Sequence, residues 1–420
     1  MNKKLLAVAI AGVLAAPLAQ AQTANVTLYG RLNLSSQVII NAKQDASGGG
    51  VKQNLYQVGS NSSRLGVRGT ESLGGGLNVI FQAEQRFDAS NSSNVTLSGD
   101  SFAGLQGGWG TVKIGYFLTP YDDVTPVFGS VPTLLTSILS TSAVWSNSGG
   151  TSFVTGGTPN ANNVNFSPGG SFDDRSANSL RYDSPVMAGF TVSGQVSGRD
   201  PGGNNGGDLA ESRRHAYLLG VGGTYNNGPI SAAVAYEAHN NMRQARAGTP
   251  VQKLQDQGIT VAGSYNFGIV KVGAVYEQLR YDWDAGGEIK RNLWGISGTA
   301  NLGPGQMYLA YFKANNGSGS AACTTTLGLT TCPRVGAVTI GPDSSAQMWT
   351  VSYTYPLSKR TLLYTGYVMI DNNSNAAYNF NVGAVSGLCG GNLRNASGSN
   401  VGCGDSARPQ GALAGIVHFW

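Results

Sequence analysis

The residues Gly411-Ala412-Leu413-Ala414-Gly415-Ile416-Val417-His418-Phe419-Trp420 form a strand-like apolar run that ends on an aromatic side chain. Soluble domains more commonly end in a frayed polar tail. An unpaired strand edge invites aggregation, and within lipid only helices and closed barrels satisfy every backbone polar group. This run therefore predicts an all-β fold, a transmembrane antiparallel barrel closed by its own last strand.

The amino-terminal residues have the layout of a secretory signal. Lys3 and Lys4 precede an apolar stretch at residues 5–18, and Ala19-Gln20-Ala21 supplies the small residues of a cleavage site. The stretch is too short for a spanning helix, and no later segment approaches that length. We expect residues 1–21 to be a signal peptide, residues 22–420 to be the barrel, and the protein to be exported through the periplasm.

The composition fits a barrel wall, in which one face of each strand meets lipid and the other meets water. Hydrophobic residues make up 41% of the chain and charged residues only 12%, alongside 61 glycines. Removing Lys3 and Lys4 from the 27 basic residues leaves 25 against 22 acidic ones, a net charge of about +3. Such a weak charge argues against a nucleic-acid partner.

One unit repeats along the chain, a segment of about ten residues with period-two apolarity followed by a turn. In residues 26–35 the even positions are apolar or small and alternate with more polar odd positions, so the even positions are expected to face outward. The same alternation occurs in residues 62–70, 77–88, 111–117, 190–197, 230–239 and 259–267, and it is ambiguous in residues 306–313 and 361–371.

The connections between these segments alternate in length. Short ones lie at residues 73–76, 106–109, 186–189, 226–229, 268, 303–305 and 356–360, and long ones at 39–59, 89–100, 118–177, 199–214, 241–257, 284–288, 316–344 and 373–409. Short turns on one side of the membrane and long loops on the other are typical of an outer-membrane barrel. The pattern predicts 16 strands, a size that leaves an aqueous channel, whereas a large secreted β-sandwich or β-helix would show no such alternation.

The four cysteines lie in two of the long connections. Cys323 and Cys332 share one connection, and Cys389 and Cys403 share another. Local pairing within each set is the simplest of the three possible connectivities. Metal ligation is the alternative, but the spacings match no zinc pattern and no histidine lies near. We expect two disulfides that steady the outer loops without affecting the pore.

Several motifs resemble the general porins of Gram-negative bacteria. They are Ser63-Arg64-Leu65-Gly66-Val67-Arg68-Gly69-Thr70-Glu71, Leu73-Gly74-Gly75-Gly76-Leu77, Gly110-Thr111-Val112-Lys113-Ile114-Gly115, Asn178-Ser179-Leu180-Arg181-Tyr182 and Val26-Thr27-Leu28-Tyr29-Gly30. The resemblance implies an outer-membrane homotrimer of 16-stranded barrels without a cofactor, each with a water-filled pore narrowed by an inward-folded third loop. It also implies contact with outer-membrane lipid and lipopolysaccharide, and recognition by the barrel-assembly machinery, for which His418 and Trp420 are the candidate signal.

Charged residues predict the lining of that pore. Strand parity turns one set of basic residues inward on the first six strands, and the third loop carries four acids. The resemblance adds Arg175 and singles out Arg64, whereas a third arginine common in the family is replaced here by Gly99 and Asp100. Alternatively, some of these arginines tie the loop to the wall through Asp122 or Asp174. The candidate constriction residues are Arg31, Arg64, Arg68, Arg86, Lys113, Arg175, Arg181, Asp122, Asp123, Asp173 and Asp174.

These features favour a passive diffusion channel for small hydrophilic solutes and ions, mildly selective for anions because rings of charge set selectivity in pores. A substrate-specific channel for phosphate, other anions or sugars is the main alternative, and a structural or adhesive surface protein is the second. An enzyme is disfavoured, because only His215, His239 and His418 could serve a Ser-His-acid arrangement and no nucleophile is indicated near them.

Overall fold

The computed structural model describes residues 25–41, 54–90, 99–129, 137–147, 171–198, 217–240, 254–283, 286–326, 329–380 and 407–420. The predicted signal peptide, Cys389 and Cys403 lie outside these residues. The described helices are single turns at Asp122–Val124, Thr125–Phe128 and Thr141–Ala143. None of them is long and apolar enough to cross a membrane.

Sixteen antiparallel strands form one closed barrel, as the sequence predicts. Strand β2 consists of two segments that both pair with β1. The strands are β1 Asn25–Ile40, β2 Leu55–Ser60 with Arg64–Gly74, β3 Leu77–Arg86, β4 Ser101–Gly107, β5 Gly110–Leu118, β6 Arg175–Asp183, β7 Phe190–Gly198, β8 Tyr217–Asn227, β9 Ile230–Asn240, β10 Gln255–Asn266, β11 Val270–Asp282, β12 Glu288–Leu302, β13 Gly305–Ala314, β14 Ala346–Pro356, β15 Thr361–Asn372 and β16 Gln410–Phe419.

The sheet closes where β16 pairs with β1. Phe419 lies opposite Arg31, and the pairing continues to Gln410 opposite Ile40. The other edge of β16 pairs with β15. Neither β1 nor β16 is therefore a free edge, and the backbone groups of both strands are satisfied within the sheet.

The two faces of the sheet differ as the alternation predicts. Val26 and Leu28 on β1 are 55% and 60% exposed, whereas Asn33 and Gln37, at odd positions of the same strand, are 0% and 1% exposed. Large apolar side chains thus project outward and polar ones inward, which is the arrangement required when lipid surrounds the barrel.

The structure also resolves the two strands whose parity was ambiguous. On β13, Leu309 faces outward and Tyr308 is buried inside, and on β15, Leu363 faces outward and Tyr364 inward. Both faces of these strands carry apolar groups because residues of the β5–β6 connection pack against their inner side. The Tyr308 hydroxyl, for example, donates to the backbone oxygen of Phe128 in that connection at 3.2 Å.

Short and long connections alternate around the barrel, which confirms the sequence prediction. The turn between β2 and β3 consists of glycines at positive φ, with values of +86°, +60° and +79° at Gly74, Gly75 and Gly76. These left-handed conformations are the ones that glycine adopts without a steric penalty. The long connections include residues 119–174 between β5 and β6, and residues 315–345 between β13 and β14.

Aromatic side chains cluster on the outer surface in groups near both ends of the strands. Trp294, Tyr311 and Trp349 form one group on neighbouring strands, with ring centroids 5.3 and 4.4 Å apart. Phe190 and Tyr225 form another beside the short turns, 4.4 Å apart. Aromatic girdles of this kind mark the two lipid–water interfaces of a membrane barrel.

Cys323 and Cys332 form a disulfide within the β13–β14 connection, which confirms the local pairing predicted for this set. The same connection carries two short hairpins. One pairs Thr324–Thr326 with Leu329–Thr331, and the second pairs Arg334–Val335 with Val338–Thr339.

Trp420 docks on β1 beside the closure of the barrel. Its backbone nitrogen donates to the oxygen of Gly30 at 3.3 Å, and its indole lies over Gly30 where a side chain would otherwise be. The neighbouring His418 shares a 2.9 Å hydrogen bond with the Thr361 hydroxyl through Nδ1. Gly30 is therefore required by packing, because even a methyl group there would overlap the indole.

We predict that Gly30→Ala destabilises the barrel by about 1–3 kcal/mol, the usual cost of overpacking. The temperature at which the folded band converts to the unfolded band in semi-native electrophoresis should fall. Gly194→Ala on β7 is the matched control, since a methyl group there meets nothing within 4 Å. Equal midpoint temperatures of unfolding for the two variants would show that packing of the indole on Gly30 does not stabilise the barrel.

Candidate functional site

The described parts of the β5–β6 connection, residues 119–129, 137–147 and 171–174, pack against the inner wall of the barrel, and we call these parts the inserted loop. Tyr121, Trp145 and Phe172 in this inserted loop are fully buried. The rings of Tyr121 and Trp145 stack 5.4 Å apart, and those of Tyr121 and Phe172 lie 5.6 Å apart. The Trp145 indole nitrogen donates to the hydroxyl of Thr260, on β10, at 3.3 Å. An aromatic core therefore anchors the inserted loop to the wall formed by the later strands.

A buried ion pair holds two separate parts of the inserted loop. Glu277 on β11 and Arg291 on β12 form this pair, with exposures of 0% and 1%. Glu277 Oε1 accepts from the Tyr121 hydroxyl at 2.8 Å and from the Ser146 backbone nitrogen at 2.8 Å. Arg291 also donates to the backbone oxygen of Val144. Both members of the pair therefore also bond the loop, Glu277 at Tyr121 and Ser146 and Arg291 at Val144.

The opposite wall carries a row of arginines on β1, β2 and β3. Arg31 lies directly opposite Arg64, and Arg64 lies directly opposite Arg86. Side chains in such positions are about 5 Å apart, and like charges there destabilise the sheet. Arg31 is held by the backbone oxygens of Asn61 and Ser62. Stability alone therefore does not favour this row.

One carboxylate, Glu84, compensates two of these arginines. Its oxygens accept from Arg64 Nη1 at 3.0 and 3.1 Å, and Arg86 Nε lies 3.6 Å away. The Tyr29 hydroxyl donates to the same carboxylate at 3.2 Å, and its ring can cross β2 because Gly66 has no side chain. Three arginines and one buried carboxylate leave this wall positively charged.

Arg68 adds a further charge on the same side. It is exposed, and its guanidinium lies over the Tyr29 ring, 5.1 Å from the centroid. Among the described residues Arg68 forms no ion pair. It is therefore the most available cation of the predicted set for a passing ion.

Lys113 and Arg181 lie on neighbouring strands and share Asp183. The distances to its carboxylate are 3.4 Å from Lys113 Nζ and 2.8 Å from Arg181 Nε. Arg181 also pairs with Asp123 of the inserted loop. An arginine thus does tie the loop to the wall, as one interpretation of the sequence holds, but this ion pair uses Asp123, where the sequence suggested Asp122 or Asp174.

The other predicted residues lie where the inserted loop returns to β6. Arg175 Nε pairs with Asp100 at 2.6 Å. Asp100 thus stands near the position where the family has an arginine, and it also neutralises the charge of Arg175. Asp173 accepts from the Ser171 hydroxyl at 2.9 Å, and Asp174 is exposed. Burial, with the nearby carboxylates of Asp173 and Asp123, raises the pKa of Asp122 to about 8. Asp122 therefore carries only part of its negative charge at neutral pH.

A histidine–glutamate pair on β9 lies between the barrel wall and Phe172, near the point where the loop joins β6. His239 Nε2 is 2.6 Å from Glu237 Oε1, and its ring stacks on Phe172 with centroids 4.6 Å apart. Both polar residues are buried. This pair supports the aromatic core.

The pattern of the family described as Gram-negative porin matches residues 6–375. The chain belongs to the Gram-negative porin family. This porin is 28% identical to outer membrane porin protein 32 of Delftia acidovorans over 382 residues, which cover 89% of this chain and 90% of the relative. It is also 28% identical to an outer membrane porin protein of Bordetella pertussis over 403 residues, covering 87% and 93%.

Solved structures confirm the porin fold. The anion-selective porin from Comamonas acidovorans superposes with a TM-score of 0.65 at 23% identity, covering 94% of this chain and all of that one. OmpT of Vibrio cholerae, folded in vitro, superposes with a TM-score of 0.58 at 14% identity, covering 96% of this chain and all of that one. The protein is an outer-membrane channel for passive diffusion, from a family of channels and not of enzymes.

The residues that fix the inserted loop in this porin are not among those that the sequence pattern predicts. Glu277 and Arg291 occupy inward positions on β11 and β12, strands whose parity was not assigned from the sequence. An acid and a base at inward positions of adjacent strands would have been the available signal. Asn147 was also missed, because nothing in a polar Ser/Asn/Gly-rich segment distinguishes it from its neighbours.

We predict that Glu277→Gln releases the inserted loop while leaving the barrel closed. Removing one partner of a buried ion pair costs about 3–5 kcal/mol, because the other charge stays buried without compensation. Hydrogen exchange in peptides from residues 119–147 should accelerate. Glu288→Gln is the control, since Glu288 pairs with Arg280 and Lys290 at the surface, where such pairs contribute about 0–1 kcal/mol. Equal exchange in both variants would contradict this role of Glu277.

Proposed function

We propose that this porin is a general diffusion channel with a modest preference for anions, set by the arginine wall that faces the inserted loop. The observation that carries the proposal is the row of Arg31, Arg64 and Arg86, in which Glu84 pairs with Arg64 and Arg86 but not with Arg31. Arg68 beside the row raises the formal charge of this wall to four positive charges against one negative. Guanidinium groups stay charged at any physiological pH, so this wall is permanently basic.

Acids of the inserted loop oppose the basic wall. Asp122, Asp123, Asp173 and Asp174 lie on the loop, although Asp122 is only partly charged at neutral pH and Asp123 is paired with Arg181. The field across the lumen between the two sets is therefore weak. At ~8 Å and an effective dielectric constant of about 20, one charge shifts the energy of an ion by roughly 2 kcal/mol. The Debye length at physiological salt is also about 8 Å, so screening reduces this severalfold. The net result is a modest excess of anions, not exclusion of cations.

A non-specific channel is favoured over a substrate-specific one by the position of the aromatic side chains. A sugar path would need aromatic faces open to the lumen. The large rings of the inserted loop, Tyr121, Trp145, Phe128 and Phe172, are instead buried against one another and the wall. Within the described residues these rings serve to anchor the loop.

The proposed assembly is a homotrimer in the outer membrane, because a related solved structure, OmpT of Vibrio cholerae, is described in a trimer form. We further propose that residues 1–21 are removed on export. His418, on the strand that closes the barrel, and Trp420, directly after it, would be recognised by the barrel-assembly machinery.

Lipopolysaccharide would bind the outer rim between β11 and β12. Arg280 and Lys290 lie directly opposite each other there, are 46% and 40% exposed, and share Glu288. Both lie closer to the long connections than the outward-facing Trp294, which belongs to the aromatic group with Tyr311 and Trp349 and is called the aromatic belt here. Cations next to such a belt are positioned to meet phosphate groups of the outer leaflet.

For ion selectivity, we predict that replacing Arg64 and Arg68 by Ser lowers the anion-to-cation permeability ratio about twofold to fourfold. The wall then loses two of its four positive charges, and each is worth roughly 2 kcal/mol before screening. The reversal potential in a salt gradient across a planar bilayer measures the change. Raising the pH from 6 to 9 should lower the anion preference of the wild type, because Asp122, with a pKa of about 8, changes from mostly neutral to mostly charged over this range.

The control for this experiment is Arg360→Ser, which removes one positive charge from the short turn between β14 and β15. It should keep the wild-type reversal potential. If the double variant behaves like this control, the charges that sort ions lie elsewhere in the pore.

For assembly and lipid, we predict that native mass spectrometry of the detergent-extracted porin shows a trimer carrying lipopolysaccharide.

Replacing Arg280 and Lys290 by Ser should reduce the retained lipopolysaccharide severalfold, because two phosphate partners are lost, and leave the trimer intact. Arg360→Ser is again the control. A monomer would contradict the assembly proposal, and unchanged lipid retention would contradict the rim site.

A further inference from the structure

Asn147 joins three parts of the molecule through its side-chain carboxamide. Its Nδ2 donates to the Tyr281 hydroxyl on β11 at 2.9 Å and to the backbone oxygen of Val335 at 3.0 Å. Its Oδ1 accepts from the backbone nitrogen of Ala337 at 2.9 Å. Val335 and Ala337 belong to the β13–β14 connection. One buried amide therefore links the inserted loop, the barrel wall and an outer connection.

The backbone at this junction is shaped for the contact. Asn147 has φ of +64°, and the preceding Ser146 has φ of +60°. Asparagine tolerates this left-handed region better than most residues with a side chain. Gly336, between the two residues that bind Asn147, has φ of +59°, and a Cβ there would lie 2.6 Å from Asn147 Nδ2. The junction thus needs a small residue on one side and a carboxamide on the other.

We name residues 334–339, which carry Gly336 at their turn, the clamp hairpin. Arg334 crosses it, donating from Nε to the Thr339 hydroxyl at 2.6 Å and from Nη2 to the backbone oxygen of Asn375 at 3.1 Å. The clamp hairpin begins two residues after Cys332, whose disulfide to Cys323 closes the preceding segment. Hence the connection that carries this disulfide contacts the inserted loop at Asn147.

We propose that Asn147 is a positioning residue of the permeation path, and that the clamp hairpin controls the inserted loop from the outer side of the barrel. This inference rests on the proposed function, in which the inserted loop narrows the pore. The Glu277–Arg291 pair holds residues 144–146 from the wall, and the clamp hairpin holds the next residue from outside. With the second contact released, residues 144–147 are held from the wall side alone and gain freedom to move into the lumen.

Voltage-dependent closure of single channels in a planar bilayer tests the proposal. Asn147→Gly keeps the left-handed backbone accessible and removes only the carboxamide. Gly336→Ala perturbs the same contact from the hairpin by placing a methyl group against that carboxamide. Both variants should close at lower voltage, with closures several times more frequent and with ion selectivity unchanged. Wild-type closure in both variants would overturn the proposal.

Gly341→Ala is the matched control in the same connection. Gly341 also has positive φ, at +110°, but a Cβ there meets only the sulfur of Cys332, at 3.9 Å. It should close like the wild type, because its strain does not reach Asn147. Closure at the lower voltage in this control would show that any disturbance of the connection suffices, which contradicts a specific role for Asn147.

A double-variant cycle tests whether both residues act through one contact. Because either substitution breaks the junction, Asn147→Gly combined with Gly336→Ala should shift the closing voltage no more than one of them does. Additive shifts would show two independent effects and contradict the proposal. If Arg64 and Arg68 still set selectivity while the Asn147 variant closes normally, this inference alone fails. If neither experiment gives its expected result, the proposed function fails with it.

Discussion

Every backbone polar group that meets lipid has to be hydrogen-bonded within the protein, and the pairing of β16 with β1 meets that condition for the whole sheet. Once the sheet is closed, each strand has one lipid face and one lumen face. At the depth of the lipid the outer face is then fixed as apolar by its surroundings, and charged side chains can lie only on the inner face. The arginine wall and the buried pair of Glu277 and Arg291 are both charged groups on this inner face. The first acts on ions, and the second holds the inserted loop.

The two inner walls accordingly handle charge in different ways. At Glu277 and Arg291, one negative and one positive group are fully buried, and each also forms a hydrogen bond with the inserted loop. On β1, β2 and β3, three arginines lie beside one carboxylate, which pairs with only two of them, and Arg68 faces water. Full compensation makes the first wall a fixed support, whereas incomplete compensation leaves the second able to act on ions.

The barrel could be predicted from the sequence because its determinants are local. Strand parity and the alternation of short and long connections can be counted residue by residue, and both hold for β1 and its successors. Parity also identified the inward-facing arginines, but it could not pair Arg175 with Asp100 or Arg181 with Asp123, since those contacts depend on how a long connection folds. Glu277, Asn147 and Gly336 are brought together from three distant parts of the chain, which leaves no local pattern to detect.

The docking of Trp420 over Gly30 bears on how the barrel reaches a single register. Shifting one strand by one residue exchanges its inward and outward faces. In a slipped β16, the indole would meet the side chain of Tyr29 or Arg31 instead of the bare backbone of Gly30. Only one alignment of the two strands therefore leaves room for the indole. Chain closure, the last pairing in a sixteen-stranded ring, thus includes its own check against misalignment.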